Sequence, residues 1–86
     1  MWKLVYTKQA LKDAKNISSA GLTKKVEELL NILETNPFEP YPPFEKLLGD
    51  LKGAYSLRIN VHNRLVYEVI QQSRTVKIIR MWSHYE

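Results

Sequence analysis

Residues 37–44 hold all four prolines of the chain: Pro37, Pro40, Pro42 and Pro43. Proline has no amide donor and a fixed φ, so this segment cannot run through a helix interior or a central strand. It is too stiff to act as a Gly/Ser-type linker between independent domains. The prolines form a strap, and the hydrophobic periodicity differs on its two sides.

Before the strap the pattern is helical. Trp2–Tyr6 is a short run of strand-forming residues, fit for an edge or a central position. Thr7 is then placed to cap a helix. Ala10, Leu11, Ala14 and Ile17 form a narrow helical stripe, which Ser18-Ser19-Ala20-Gly21 ends. Leu22, Val26, Leu29, Leu30 and Leu33 form a second, clearer stripe, with Lys24, Lys25, Glu28 and Glu34 on the other faces. Asn36-Pro37 stops it, because a residue before proline is pushed out of the α region. Residues 7–36 therefore read as a helical hairpin.

After the strap the period is two. Tyr55, Leu57, Ile59 and Val61 alternate with Ser56, Arg58 and Asn60, the mark of a half-buried strand. Residues 64–70 and 75–82 supply two more strands. A three-residue loop at Val61-His62-Asn63, with Asn63 in the left-handed region, pairs Asn60 with Arg64 and Ile59 with Leu65. That register sends Leu65, Tyr67 and Val69 to the apolar face and leaves Arg58 and Arg64 together on the other. A four-residue loop at 71–74 pairs Glu68 with Lys77 and Tyr67 with Ile78. The expected fold is α+β: an N-terminal strand, a helical hairpin over one sheet face, then a three-strand antiparallel meander. Eighty-six residues suffice for one domain, 1–86.

Composition removes many chemistries. No cysteine is present, so disulfides, thiolate metal sites and cysteine nucleophiles are excluded. Two histidines are too few for an ordinary zinc site, so neither metal nor cofactor is expected. No apolar run approaches a membrane span, and the N-terminal apolar stretch is too short for a secretory signal. This points to the cytoplasm and away from membranes. Residues 1–43 carry six Lys against five acids, a net of +1; residues 44–86 carry three Lys and four Arg against four acids, a net of +3. All the arginines (Arg58, Arg64, Arg74, Arg80) lie in the second half, which makes it a candidate surface for polyanions, the plainer alternative being a solvated basic surface.

No Gly-rich phosphate loop, Gly-x-Ser-x-Gly elbow or His-Glu-x-x-His motif occurs. What remains is Glu45, His84 and Tyr85 as acid–base candidates, with Arg58 and Arg64 as cations. RNA cleavage without a metal needs a base for the ribose 2′-OH, cations for the phosphorane oxygens and an acid for the departing 5′-oxygen. A glutamate, two arginines and a histidine from this set could supply all three without a cofactor. The plainer reading of the same residues is a solvated glutamate and a frayed C-terminus. Trp2, Tyr6, Tyr67 and Trp82 read as core or interface, with Tyr55 open between core and surface. Lys52 reads as a surface lysine within reach of phosphate.

Lys52-Gly53-Ala54-Tyr55-Ser56-Leu57-Arg58-Ile59, then Asn63-Arg64-Leu65-Val66-Tyr67, and the closing His84-Tyr85 together resemble the YoeB/Txe toxins of the RelE/ParE toxin–antitoxin superfamily. The resemblance also takes in Asn36-Pro37-Phe38 and Glu45-Lys46-Leu47. It implies a RelE-like fold and a ribosome-dependent, metal-free endoribonuclease that cuts translated mRNA. It implies Glu45 as general base, Arg58 and Arg64 as phosphate and transition-state contacts, His84 as general acid and Tyr85 as a positioning group. It also implies a Phd/YefM-type antitoxin with an acidic C-terminal segment, with the ribosome and mRNA as further partners; a homodimer is allowed for. Three positions depart from the pattern. Leu57 stands where a further arginine is common, which implies one fewer phosphate contact. Lys46 replaces a common proline, and Glu86 adds a carboxylate after His-Tyr. Two other functions compete: a ParE-like toxin that binds a protein target without cutting RNA, and a simple RNA-binding domain. Glu45 and His84 argue against the first. The second would want aromatic residues on the arginine-bearing strand face.

Overall fold

The structure, a computed structural model, describes the backbone of residues 1–84 and the side chains of residues 1–82. In chain order the elements are β1 (Lys3–Tyr6), α1 (Lys8–Ser19), α2 (Thr23–Thr35), β2 (Phe44–Lys46), β3 (Tyr55–Arg58), β4 (Asn63–Ile70) and β5 (Thr75–His84). Among the described residues the strands make one sheet in the order β1-β5-β4-β3-β2. β1 is parallel to β5, and the other neighbours are antiparallel. This is the expected α+β fold, with the meander joined on one side by β1 and on the other by β2. The sequence hides β2: three residues, Phe44-Glu45-Lys46, are too few to show alternation, so the strap reads one residue too long. Glu45 consequently sits within a strand, paired with Ser56.

The helical hairpin forms as its stripes require. Thr7 caps α1 by accepting the Ala10 N–H at 3.0 Å, and its hydroxyl donates to the Ile79 carbonyl at 2.7 Å. One side chain thus starts the helix and ties it to β5. Val26, Leu29 and Leu33 of α2 are buried, as are Ala10 and Ile17 of α1. They pack on Leu57, Leu65, Tyr67, Val76 and Ile78, the inner face of the meander. Phe44, Tyr55 and Tyr67 extend this core as a row of rings, with centroids 5.4 and 5.8 Å apart. Tyr55 is therefore half-buried, packed against the core.

Two features differ from the sequence expectation. The α1 stripe contains Asp13, 1% exposed, whereas Leu11 is 60% exposed and Ala14 is also outside the core. Asp13 is held by Arg80, Gln9 and the Met81 and Trp82 amides of β5. The β3–β4 register also differs by two residues: Arg58 pairs with Arg64 and Leu57 with Leu65. The cause is Asn60. Its Oδ1 accepts the amides of His62 and Asn63, at 3.0 and 2.8 Å, while the Asn63 carbonyl accepts those of Ile59 and Asn60. This side-chain turn closes a longer loop without the left-handed Asn63 that a three-residue loop needs. A slip of two preserves side-chain parity, so the apolar face and the arginine face are as expected. The β4–β5 hairpin has the expected register, Glu68 to Lys77 and Tyr67 to Ile78, with left-handed Arg74 closing its loop.

Thr7→Ala removes a helix cap and a helix-to-strand tie together. It should lower unfolding free energy by about 1–2 kcal/mol with an unchanged urea m-value; a loss within error of zero would contradict the cap's role. Burial alone pushes the Asp13 carboxyl up, but the hydrogen bonds from Arg80, Met81 and Gln9 outweigh it and hold the group below its usual range. Its stabilisation is therefore complete above about pH 4 and is lost as pH falls through the lowered value. Urea midpoints between pH 7 and pH 3 should fall more steeply in the wild type than in Asp13→Asn; parallel curves would contradict this.

Candidate active site

The arginine face of the sheet is not uniformly open. Its middle is covered by a small cluster of Leu47, Ala54 and Val66, with Leu51 and Ile79 packed on it. The short helical turn at Gly49–Leu51 folds the β2–β3 connection back over the sheet. The basic groups are left toward the end of the sheet where β3 finishes and β4 begins.

There Arg58 and Arg64 lie directly opposite each other in the ladder. Like charges in facing positions destabilise a sheet, so the pair needs a counter-charge. Glu45 supplies part of it. Arg64 reaches diagonally across β3, with Nη2 3.2 Å from Glu45 Oε1 and Nη1 3.4 Å from Ser56 Oγ. Ser56 is fully buried and lies between Glu45 of β2 and Val66 of β4. Its small side chain leaves room for the guanidinium to pass over it. The two partners are unequally held: the Arg64 side chain is 14% exposed and that of Glu45 62%. The cation is fixed by packing, while the carboxylate is free to exchange with solvent or a ligand.

These groups line an open cleft of about 380 Å³ together with Lys25, Pro42, Pro43 and Ile59. Lys25, missed by the sequence reading, arrives from the first turn of α2, and the prolines of the strap form a wall. Among the described lining residues three cations face one carboxylate, so the cleft favours an anion. Leu57 is buried and faces the core, between Phe44 and Leu65. Strand alternation turns this position away from the cleft, so its lack of an arginine costs the cleft no described cation. Lys52 is elsewhere, beside a second hollow formed with Lys46, Leu47, Leu48, Gly53, Ala54 and Tyr55. The strand pairing brings the β5 backbone to the cleft's end of the sheet: Ser83 pairs with Arg64 and His84 with Asn63. The side chain of His84, and Tyr85 and Glu86 entirely, lie outside the described residues. Arg80 points to α1 rather than the cleft, and pairs with Asp13. No helix among the described residues is long and apolar enough to cross a membrane.

A mixed five-strand sheet backed by a helical hairpin is the fold of the RelE-like toxins, shared with a chain of the RelBE2 toxin–antitoxin complex from Mycobacterium tuberculosis at a TM-score of 0.74. Residues 6–85 match the family described as YoeB-like toxin of bacterial type II toxin–antitoxin system, and the chain belongs to that family. Solved structures agree. A YoeB/ParE toxin from Agrobacterium tumefaciens superposes with a TM-score of 0.84 at 29% identity, covering 96% of this chain and 99% of that one. A YoeB dimer from Staphylococcus aureus gives 0.80 at 34% identity, covering 98% of both chains. The S. aureus chain in a heterotetrameric YoeB–YefM complex gives 0.79 at 34%, covering 99% of both. No match was found among curated protein sequences.

The unequal exposure of the ion pair predicts unequal stability effects. Glu45→Gln should change unfolding free energy by less than about 0.5 kcal/mol, since exposed pairs contribute little. Arg64→Ala should cost about 1 kcal/mol or more, because the half-buried stem loses packing as well as charge. Equal losses in urea titrations would contradict the fixed-cation description.

Proposed function

We propose that this toxin is an endoribonuclease that cuts mRNA on the ribosome through 2′-OH attack, with the chemistry in the Arg58–Arg64–Glu45 cleft. The observation that carries the reading is the Arg64–Glu45 pair at 3.2 Å beside Arg58, at the end of the sheet to which β5 returns His84. An entering phosphate competes with Glu45 for Arg64. Because the arginine is fixed and the glutamate exposed, it is the carboxylate that swings free, at the moment when a base is needed. Glu45 takes the 2′-OH proton as the 2′-oxygen bonds to phosphorus. Arg58 and Arg64 hold the non-bridging oxygens as charge builds on them. His84, entering as the imidazolium, gives its proton to the 5′-oxygen as that P–O bond breaks. Tyr85 positions the nucleotide, Lys25 adds positive potential at the cleft wall, and Lys52 touches the RNA backbone farther along. The products are a 2′,3′-cyclic phosphate and a 5′-hydroxyl.

The same reading places the protein in the cytoplasm with a Phd/YefM-type antitoxin, whose acidic C-terminal segment neutralises the cationic surface. It also allows a homodimer. Similar S. aureus chains were solved as a YoeB–YefM complex and as a YoeB dimer, which supports both.

The test is single-turnover cleavage of mRNA on saturating ribosomes. Glu45→Gln and His84→Gln should each slow the cut by about 10²- to 10⁴-fold while still binding ribosomes. Arg64→Ala should lower both rate and affinity. Ends should carry 5′-hydroxyls, with chelator making no difference while the ribosomes stay intact. Wild-type rates in folded Glu45→Gln and His84→Gln, or 5′-phosphate ends, would overturn the mechanism; the former favours a toxin that acts by binding.

A further inference from the structure

The β4–β5 ladder is interrupted twice within a few residues. Tyr67 pairs with Ile78, but the next β4 residue, Val66, pairs with Arg80, and Arg64 pairs with Ser83. Each interruption spends one extra residue of β5, so Ser83 and His84 stand two ladder positions earlier than an unbroken strand would put them. Without the bulges, Arg64 would face Met81 and Asn63 would face Trp82. His84 would then fall opposite Val61, past the start of β4, about 7 Å farther along at the usual strand rise. The bulges are what bring His84 back beside Arg64's neighbour.

Bulges release amide donors from the ladder, and a donor left unpaired in the interior is costly. The Asp13 carboxylate receives these donors. Oδ2 accepts from the Met81 amide at 2.9 Å, the Trp82 amide at 3.2 Å and Arg80 Nε at 2.9 Å. Oδ1 accepts from Arg80 Nη2 at 3.2 Å and Gln9 Nε2 at 3.1 Å. Arg80 Nη2 also donates to the Trp82 carbonyl at 3.0 Å. A carboxylate on α1 and a guanidinium on β5 thus clamp the backbone of the bulged segment, one and two residues before Ser83 and His84. Neither side chain lines the Glu45–Arg64 cleft.

We infer that Asp13 and Arg80 are positioning residues that fix the bulged register of β5 and so set where His84 stands relative to Arg64. The inference rests on the proposed role of His84 as general acid, but its structural half can be measured independently. Displacing a reacting group by even about 1 Å can cost on the order of 10²-fold in rate, and a slipped register moves the backbone by several times that. Asp13 matters to catalysis only through His84, so its effect should vanish when His84 is gone.

The experiment combines a double-mutant cycle with NMR on the intact chain. Asp13→Asn should slow single-turnover cleavage by about 10²-fold with ribosome affinity unchanged, and should add little to His84→Ala. Cross-strand NOEs from Asn63 to His84 and Arg64 to Ser83 should weaken or give way to Asn63–Trp82 and Arg64–Met81. Equal slowing in both backgrounds would show a general structural role and overturn the inference, as would wild-type NOEs in Asp13→Asn. If Asp13→Asn does not fold, Arg80→Gln, at a side chain 38% exposed, should show the same dependence on His84 in weaker form. A folded Arg80→Gln with wild-type rate and NOEs would overturn the inference. If His84→Ala cuts at the wild-type rate, the acid assignment fails; a register shift in Asp13→Asn would then still establish the clamp, while an unshifted register would refute it.

Discussion

A carboxylate with 1% exposure on a helix facing a sheet is costly unless every lone pair is used. Asp13 meets that condition with donors from three sources: its own helix, an arginine of β5 and the β5 backbone. Helix-on-sheet packing by Ala10 and Ile17 is non-directional and would tolerate small slides of β5 against α1. The Asp13 hydrogen bonds are directional and remove that freedom. Thr7 adds a second directional tie a turn and a half earlier, to the Ile79 carbonyl. Together they hold the longest strand of the sheet, and through it β4 and Arg64, the arginine that β4 carries.

The cleft obeys the opposite logic. Arg58 faces Arg64 in the ladder, an arrangement that local stability alone would disfavour. Among the described residues one glutamate, largely in solvent, offsets one of the two charges. The described part of the cleft is thereby left with an excess of positive charge, which an anion would offset. Stability is given up locally at the sheet end and recovered in the core, where Leu29, Leu33, Leu65, Tyr67 and Ile78 are essentially inaccessible. That division explains why a five-strand domain of this size can afford an unbalanced electrostatic site.

Much of this was legible from residue patterns. The two periods on either side of the proline strap separate helices from meander, and parity alone brings Arg58 and Arg64 to one face. Parity survives a slip of two, which is why the arginine face is correct although the β3–β4 register is not. The difference comes from Asn60, whose side chain acts as a surrogate backbone and closes a loop that backbone turn types do not describe. β2 was invisible because its three residues make sense only beside β3. The burial of Asp13 is hidden from the sequence because it depends on donors 67 to 69 residues away. Lys25 joins the site through packing of α2, for which a linear sequence carries no signal; alternation does put Ser56 on the Arg58 face, but its contact with Arg64 follows from the diagonal path of that side chain. The polar residue at the third position after Ala10, in step with Ile17, was the one available hint of Asp13.

The central claim is that the cleft's carboxylate and arginines cut translated mRNA. The most direct measurement maps mRNA 5′ ends on translating ribosomes, comparing the wild-type toxin with Glu45→Gln at equal occupancy. New ends should fall inside open reading frames, in phase with the ribosomal decoding site, absent from untranslated messages and nearly lost with Glu45→Gln. Ends that ignore translation, or a wild-type toxin that halts growth with no new ends at all, would contradict it.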